Sequence, residues 1–157
     1  MLHPVTFTRR GEEGFETTVR LEVEEGTSLR RALLRAAEVD GVSVSPHNGA
    51  AAWVNCRGFG TCGTCAVEVV RGEVPPAAVR EAWRLDFPPH HAGSHGGRLR
   101  LACRIAVHGP LEVVKHPGFW GQEEQSREDA EQDRESPSTD QGARGLGRSS
   151  PLPHTGE

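Results

Sequence analysis

The sequence predicts an α+β fold in which a mixed sheet has one main helix packed across it. An alternating apolar pattern opens the chain, an amphipathic helical pattern follows, and further strand patterns come after the helix. Apolar residues make up 35% of the 157 residues and become sparse towards the carboxyl end. We therefore expect one domain of about 120 residues that buries a single core, followed by a polar tail.

The first elements are a β-hairpin and a helix. An alternation over 3–9 resumes over 15–23 after the turn-forming segment 11–14. Thr27 or Ser28 can cap the helix that follows. The apolar face of this helix consists of Leu29, Leu33, Ala36 and Ala37, and Gly41 is its stop signal.

The middle of the chain contributes shorter elements. Residues 51–54 are a candidate strand that leads into the first cysteine, and 66–70 alternate as another strand. Pro75 and Pro76 suit the first positions of a short helix. The buried side of that helix is expected to hold Val79, Ala82 and Trp83. The segment 88–97 is irregular by composition.

The clearest alternation follows and predicts a long strand, after which Leu111 and Val113 form a last one. The apolar face of the long strand consists of Leu99, Leu101, Cys103, Ile105 and Val107. Its other face carries Arg98, Arg100 and Arg104. We interpret these arginines as the solvent side of the strand in preference to a docking face for an acidic partner.

Composition divides the chain into a domain at 1–120 and a tail at 121–157. The tail holds nine acidic residues and four arginines, and beyond alanine its aliphatic side chains are Leu146 and Leu152. Such a segment buries too little apolar surface to offset its ordering entropy, so we expect a disordered acidic tail. A sharper hypothesis is that the tail folds back on the arginine face and competes with a partner.

The chain contains no apolar stretch near the roughly 18 residues of a membrane helix. Its amino terminus lacks the apolar core of a signal peptide. We therefore expect a soluble cytoplasmic protein, or a plastid stromal one if the source is eukaryotic. In a reducing compartment, clustered cysteines favour a metal or cofactor over disulfides.

Three of the four cysteines lie in one segment, the cysteine loop, residues 55–66, which reads NCRGFGTCGTCA. Cys56, Cys62 and Cys65 are followed, after 37 intervening residues, by Cys103. The glycines allow the backbone to wrap tightly with its N–H groups pointing inward. Three cysteines close together and one distant are a ligand pattern for a [2Fe–2S] cluster, in which each iron needs two thiolates.

The segments CRGFGTCGTCAVEV and LRLACRIAV resemble plant-type [2Fe–2S] ferredoxins. The resemblance is closest to ferredoxin-like proteins of cyanobacteria and plastids that carry a CRGxGTCGTC loop. It implies a β-grasp fold, which is a ferredoxin-type ubiquitin-like roll, with one [2Fe–2S] cluster per chain and one-electron transfer. By position, the implied ligands are Cys56, Cys62, Cys65 and Cys103.

Two features depart from the photosynthetic ferredoxins. Five residues separate Cys56 from Cys62, as in the adrenodoxin-like branch, where the photosynthetic proteins usually have four. The helix that is acidic in those proteins carries Arg30, Arg31 and Arg35 here. Complementary charge therefore favours a different, more acidic partner surface.

The function that the resemblance implies is that of a one-electron carrier, without catalytic residues, between a reductase and an acceptor protein. The alternative is an iron–sulfur subunit or a redox sensor that acts within a fixed protein complex. We expect a monomer whose partners are redox proteins, with neither nucleic acid nor a membrane span involved.

Other interpretations of the motifs are weaker. A structural zinc site usually pairs two C-x2-C knuckles, and this chain has one. A Rieske centre needs two histidine ligands in a C-x-H arrangement, which is absent from the sequence. His90, His91 and His95 could hold a second metal, but we interpret them as solvated loop residues. Phe59 is equally compatible with an exposed contact near the electron exit and with packing against the sheet.

Overall fold

The structure is a computed structural model that describes residues 1–11, 15–40 and 44–123. The predicted turn at 11–14 therefore lies outside the described residues except for Gly11, and Gly41 lies outside them too. Of the predicted tail, only the first three positions are described, so its disorder stays a prediction. No helix in the described part of the chain is long and apolar enough to cross a membrane.

Five strands form one mixed sheet in the spatial order β2-β1-β5-β3-β4. The strands are β1 (Leu2–Arg10), β2 (Glu16–Glu24), β3 (Ala66–Arg71), β4 (Leu99–Leu101) and β5 (Leu111–Lys115). The hairpin β1–β2 and the pairs β3–β4 and β3–β5 are antiparallel, whereas β1 and β5 run parallel. This is the β-grasp topology, so the predicted fold class is confirmed.

Helix α1 (Leu29–Asp40) packs across the sheet with its apolar face inward. Leu29 and Leu33 are fully buried against Val5, Phe7 and Ile105, as the helical spacing predicts. The first N–H groups of the helix donate to Ile105 O at 2.9 Å and to Ala102 O at 3.0 Å. The helix start is therefore tied to the segment that follows β4.

These hydrogen bonds to the helix explain why the prediction of a long strand is wrong beyond Leu101. Residues 102–104 form a turn, in which Arg104 N donates to Leu101 O at 2.8 Å. The carbonyls of Ala102 and Ile105 accept from the helix, so they are not available to a neighbouring strand. Cys103 consequently lies in a turn and is half-buried, not on a strand inside the core.

The strand predicted at 51–54 is also wrong. Residues Gly49–Ala52 form a 3₁₀ turn instead. The Asn55 amide donates to Ala51 O and Ala52 O, both at 3.0 Å, and so satisfies two carbonyls that a strand would have paired with a neighbour. A run of four residues is too short for its apolar pattern to distinguish these two structures.

The short helix α2 (Val79–Leu85) exists, but its buried side is not the predicted one. Val79 is 88% exposed and Trp83 64% exposed, whereas Glu81, Arg84 and Leu85 are buried. Glu81 accepts from the buried Arg100 guanidinium at 2.9 and 3.1 Å and from Leu101 N at 2.8 Å. These charge-assisted bonds turn the helix so that its polar side faces the sheet.

Candidate metal centre

The sheet brings the four predicted cysteine ligands together at one end of β3 and β4. Cys65 immediately precedes β3, and Cys103 lies in the turn after β4. Because Ala66 pairs with Leu101 and Ala102 N donates to Cys65 O at 3.0 Å, these two cysteines are held at the same edge. Cys56 and Cys62 reach that edge through the cysteine loop.

The four cysteines lie in two neighbouring pairs. Cys56 N donates to Cys62 Sγ at 3.4 Å, so these two residues are in contact. Cys65 and Cys103 lie close enough for hydrogen bonding between them to shift the pKa of both thiols.

The number of thiols matches a two-iron site. Each iron of a [2Fe–2S] cluster takes two thiolate ligands, so the four cysteines at this edge would supply a full set.

At two of the four positions the pKa of the thiol is low enough to favour the thiolate form that binds metal. Burial raises the pKa of Cys56, but hydrogen bonds from the backbone of Cys62, Thr61 and Gly58 outweigh it and lower the pKa to about 6. Hydrogen bonding from Cys103 and the charge of Lys115 lower the pKa of Cys65 to about 7, against the effect of burial. The pKa of Cys103 is raised, because its thiol is bonded to Cys65 and is partly buried.

The cysteine loop turns its N–H groups towards the sulfurs and its carbonyls outward onto cations. Arg84 donates to Thr61 O at 3.1 Å, Cys62 O at 2.7 Å and Phe87 O at 3.2 Å. Further donors to carbonyls of the loop are Arg104 on Phe59 O, Trp120 on Cys62 O and the buried Lys115 on Thr64 O. Burial lowers the pKa of Lys115 to about 7. The loop is therefore held by two guanidinium groups, an indole and a buried amine.

The close approach of two arginine side chains to the cysteine loop requires glycine at two positions of the loop. Gly60 and Gly63 have φ values of 76° and 75°, in the left-handed region. A Cβ on Gly60 would lie 2.5 Å from Arg104 Nε, and one on Gly63 would lie 2.9 Å from Arg84. Any side chain at either position would displace a guanidinium that holds the loop.

A chain of side chains connects Cys62 to helix α1. Thr64 Oγ1 lies 3.1 Å from Cys62 Sγ and 3.0 Å from His47 Nδ1. On its other side, His47 Nε2 accepts from Arg30 at 3.2 Å. An Nε2 that accepts leaves the proton on Nδ1, so His47 donates to Thr64 and the hydroxyl of Thr64 can donate to the sulfur.

Exposed apolar side chains lie in the cysteine loop and just before it. Phe59 is 74% exposed and Trp53 89% exposed, and Val54 lies beside Trp53 in the chain. Of the two interpretations of Phe59, the structure therefore supports the exposed contact. Arg57, next to the first cysteine, is exposed as well.

The interpretation of the histidines as solvated loop residues is wrong for two of the three. His90 is 1% exposed and lies 3.4 Å from Gly63 O, and the His95 side chain is 5% exposed. His91 is exposed, as expected. The prediction that the arginine stripe faces solvent is wrong for Arg100, which is buried on Glu81, whereas Arg98 and Arg104 are exposed.

Sequence reasoning missed Arg84, Lys115, His47 and Thr64 as residues that support the cysteines. Lys115 could have been identified from its position at the end of the apolar strand LEVVK, and in the structure it is fully buried. A lysine at such a position needs strong acceptors nearby, here Thr64 O at 2.8 Å and Ala66 O at 2.9 Å. Arg84 gave no such signal because its two acceptors in the cysteine loop lie more than twenty residues away in the chain.

Low pH is expected to destabilise the cysteine loop, because buried histidines that contact the loop become protonated. Burial is the first cause that lowers the pKa of His47 and of His90 to about 4 from the usual 6.5. Between these values the unfolded chain binds protons that the folded chain excludes, so stability is complete above pH 6.5 and falls towards pH 4. The measurement is the midpoint temperature for loss of visible absorption as a function of pH.

The variant His90→Gln separates this effect from general acid lability. Glutamine keeps an N–H donor for Gly63 O but does not titrate, so we expect a shallower dependence on pH. The exposed neighbour His91→Gln is the matched control and should follow the parent protein. Equal slopes for all three proteins would show that His90 does not contribute.

Comparison with known proteins agrees with this geometry. The family model described as "2Fe-2S iron-sulfur cluster binding domain" matches residues 15–108. The chain belongs to this family. Its cofactor is a [2Fe–2S] cluster, and the two cysteine pairs, the lowered thiol pKa values and the inward N–H groups fit that group. Membership in this 2Fe-2S family implies an electron-carrying role for the domain.

Solved structures of other 2Fe-2S proteins are similar at low identity. A Trichomonas vaginalis ferredoxin is 23% identical with a TM-score of 0.46, covering 69% of this chain and 98% of its own. A point mutant of putidaredoxin, an Fe2S2 ferredoxin, is 24% identical with a TM-score of 0.46 and coverages of 71% and 93%. The ferredoxin reductase of a carbazole 1,9a-dioxygenase is 20% identical with a TM-score of 0.37 and coverages of 73% and 28%. A search of the curated proteins found no match.

Proposed function

We propose that this 2Fe-2S family member is a one-electron carrier whose cluster is held by Cys56, Cys62, Cys65 and Cys103. The observation that carries the proposal is the placement of the four cysteines at one end of β3 and β4, where Cys56 N donates to Cys62 Sγ and Ala102 N donates to Cys65 O. We assign the pair Cys56 and Cys62 to one iron and the pair Cys65 and Cys103 to the other. A bound [2Fe–2S] cluster supplies one reversible electron per chain.

The protein's own residues stabilise the negative charge of this site. Backbone N–H groups of the cysteine loop donate to Cys56 sulfur, and Thr64 donates to Cys62. Arg84 and Arg104 place positive charge at the carbonyls of the same loop. Burial lowers the pKa of Lys115 to about 7, so this lysine is only partly charged at neutral pH. Hydrogen bonds to sulfur and nearby positive charge favour the reduced form and so raise the reduction potential.

The exposed side of the loop is the proposed route to a partner. Phe59 and Trp53 supply apolar contact area there, while Arg30, Arg57 and Arg104 lie around the loop. A basic rim around an apolar contact is complementary to an acidic partner surface, which steers encounter by charge. We therefore propose that the reductase or acceptor protein presents acidic groups at this interface.

The test of the carrier function is metal analysis followed by spectroscopy and redox titration. We expect two irons and two acid-labile sulfides per chain, and an S = 1/2 signal in electron paramagnetic resonance that appears only after reduction. The visible spectrum should recover fully over repeated cycles of reduction and oxidation. One zinc ion per chain in a colourless protein, or a cluster destroyed by a single turnover, would exclude the carrier function.

The charge of the loop surface is testable without a known partner. The variant Arg57→Asp reverses one exposed charge beside Cys56, and aspartate tolerates the left-handed backbone that Arg57 adopts at φ 52°. We expect the oxidation rate of reduced protein by an anionic cobalt(III) complex to fall roughly 3- to 10-fold at low salt. The rate with a cationic cobalt(III) complex should rise instead, and both changes should shrink at about 0.5 M salt.

The matched control for Arg57→Asp is Arg20→Glu. Arg20 is exposed on β2, the opposite edge of the sheet from β4, and the substitution changes the net charge equally. If both variants alter the two rates by the same factors, the effect belongs to the net charge and not to the loop surface.

A second candidate function is that of an iron–sulfur subunit in a fixed complex. It is favoured by helix α2, which exposes Val79 and Trp83 and stacks Trp83 on the exposed Phe87 at 5.6 Å. A carrier that diffuses freely exchanges electrons at a rate that is first order in its partner and depends on salt. A fixed subunit would instead co-purify with its partner, and Trp83→Ser would release it.

A further inference from the structure

We propose that Glu68, His95 and His116 form a second metal site, which binds a divalent transition-metal ion such as Zn²⁺ separately from the cysteines. The three residues come from three different elements. Glu68 lies within β3, His95 within the 3₁₀ turn Ser94–Gly97, and His116 directly after β5. The fold therefore brings them together from distant parts of the chain.

The donor atoms converge as a metal site requires. His116 Nε2 lies 2.8 Å and His95 Nδ1 lies 3.8 Å from the same carboxylate oxygen, Glu68 Oε2. One ligand atom from each residue lies within 4.8 Å of the other two. Ligands of one zinc ion are about 3.4 Å apart at bond lengths of about 2.1 Å, so small side-chain movements would close the set.

The ligand types of these three residues suit a zinc ion. Two imidazole nitrogens and one carboxylate oxygen are the ligands of many three-residue sites that keep a fourth position for water. The two imidazole rings stack at a centroid distance of 4.1 Å and an interplanar angle of 19°. The stacking holds the two rings next to each other beside the carboxylate of Glu68.

The carboxylate of Glu68 is oriented by its burial and by the positive charge of Arg98. The side chains of Glu68, His95 and His116 are 9%, 5% and 1% exposed. Arg98 binds the other oxygen, Oε1, at 2.5 Å, and so leaves Oε2 to face the histidines. Hydrogen bonding of a ligating carboxylate by an outer residue is a regular feature of metal sites. Arg98 also opposes a cation by its charge, but its side chain is 58% exposed, so water screens that repulsion.

An open cavity gives an ion and its water ligand access to this group. The cavity has a volume of about 340 Å³, and its lining includes Glu68, His95 and Arg98. His95 reaches the group through a left-handed conformation, φ 52° and ψ 39°, with Gly93 and Gly96 also at positive φ on either side. Non-glycine residues seldom adopt this conformation, and here it directs an imidazole at a buried carboxylate.

The test is equilibrium dialysis of the holoprotein, with its cluster intact, against Zn²⁺ near neutral pH, with zinc and iron counted together. We expect one saturable zinc per chain and no loss of iron. The variants Glu68→Gln and His95→Asn should each weaken zinc binding at least about tenfold, since each removes one ligand of three. Asparagine tolerates the left-handed backbone at this position.

His91→Ala is the matched control, because this exposed histidine lies in the same loop outside the group. It should bind zinc as the parent protein does. The visible spectrum of each variant reports whether the fold and the cluster are retained. Absence of saturable binding to the parent protein, equal affinity in all four proteins, or zinc uptake matched by iron loss would each overturn the proposal.

Discussion

Substitution of Cys65 by alanine is expected to reduce the iron content from two to below about 0.2 per chain and to abolish the signal of the reduced cluster. Cys65 is the most buried of the four cysteines, at 1% exposed, and hydrogen bonding with Cys103 lowers the pKa of its thiol. In the proposed ligand set, its removal leaves one iron with a single thiolate in a buried position that water cannot readily fill. Iron analysis and electron paramagnetic resonance of the reconstituted variant provide the measurement.

The neighbouring variant Thr61→Ser serves as the control for Cys65→Ala. Thr61 is exposed in the same loop, and its carbonyl, which binds Arg84, is unchanged by the substitution. We expect Thr61→Ser to keep two irons. Far-ultraviolet circular dichroism separates loss of the cluster from failure to fold. Cys65→Ala protein with two irons and an unchanged signal would show that Cys65 is not a ligand.

The features predicted correctly from sequence are those that a single local pattern encodes. The hairpin and helix α1 follow from alternation and helical spacing, and their apolar residues lie in the core. The spacing of Cys56, Cys62 and Cys65 reflects a short loop whose conformation is largely local. Even Cys103, though distant, was predicted to lie with the others, and the register of β3 on β4 brings it there.

The errors concern residues whose position depends on a distant partner. Hydropathy considers each side chain alone, so Trp83 was predicted buried and Arg100 exposed, whereas the structure shows the reverse. Arg100 is buried because Glu81, nineteen residues earlier, neutralises it with two hydrogen bonds. A pattern along one strand or helix contains no information about such a pair.

For the same reason, the grouping of Glu68, His95 and His116 could not be predicted from sequence. Glu68 lies in the strand predicted from the alternation at 66–70, where a polar residue is expected to face solvent, yet it is buried. Its partners His95 and His116 come from a loop and from the residue after the last strand. The topology, with β3 between β4 and β5, brings those segments to Glu68.

The variant Arg84→Met is expected to destabilise the holoprotein by about 2–4 kcal/mol and to accelerate loss of the cluster at least about tenfold. Arg84 is 8% exposed, and its guanidinium donates to three carbonyls, two of them in the cysteine loop. Methionine fills a similar length but donates nothing, so buried acceptors lose their partners. Trp120 still donates to Cys62 O, which limits the loss at that carbonyl.

The matched control for Arg84→Met is Arg80→Met, an exposed arginine on the same helix whose loss changes the net charge equally. Arg84→Lys tests the geometry, because an ammonium cannot reproduce the planar fork that reaches Thr61 O, Cys62 O and Phe87 O together. Its stability should fall between those of the parent protein and Arg84→Met. The measurement is the decay of visible absorption in denaturant. If Arg84→Met decays no faster than Arg80→Met, the shape of the loop does not depend on the guanidinium of Arg84.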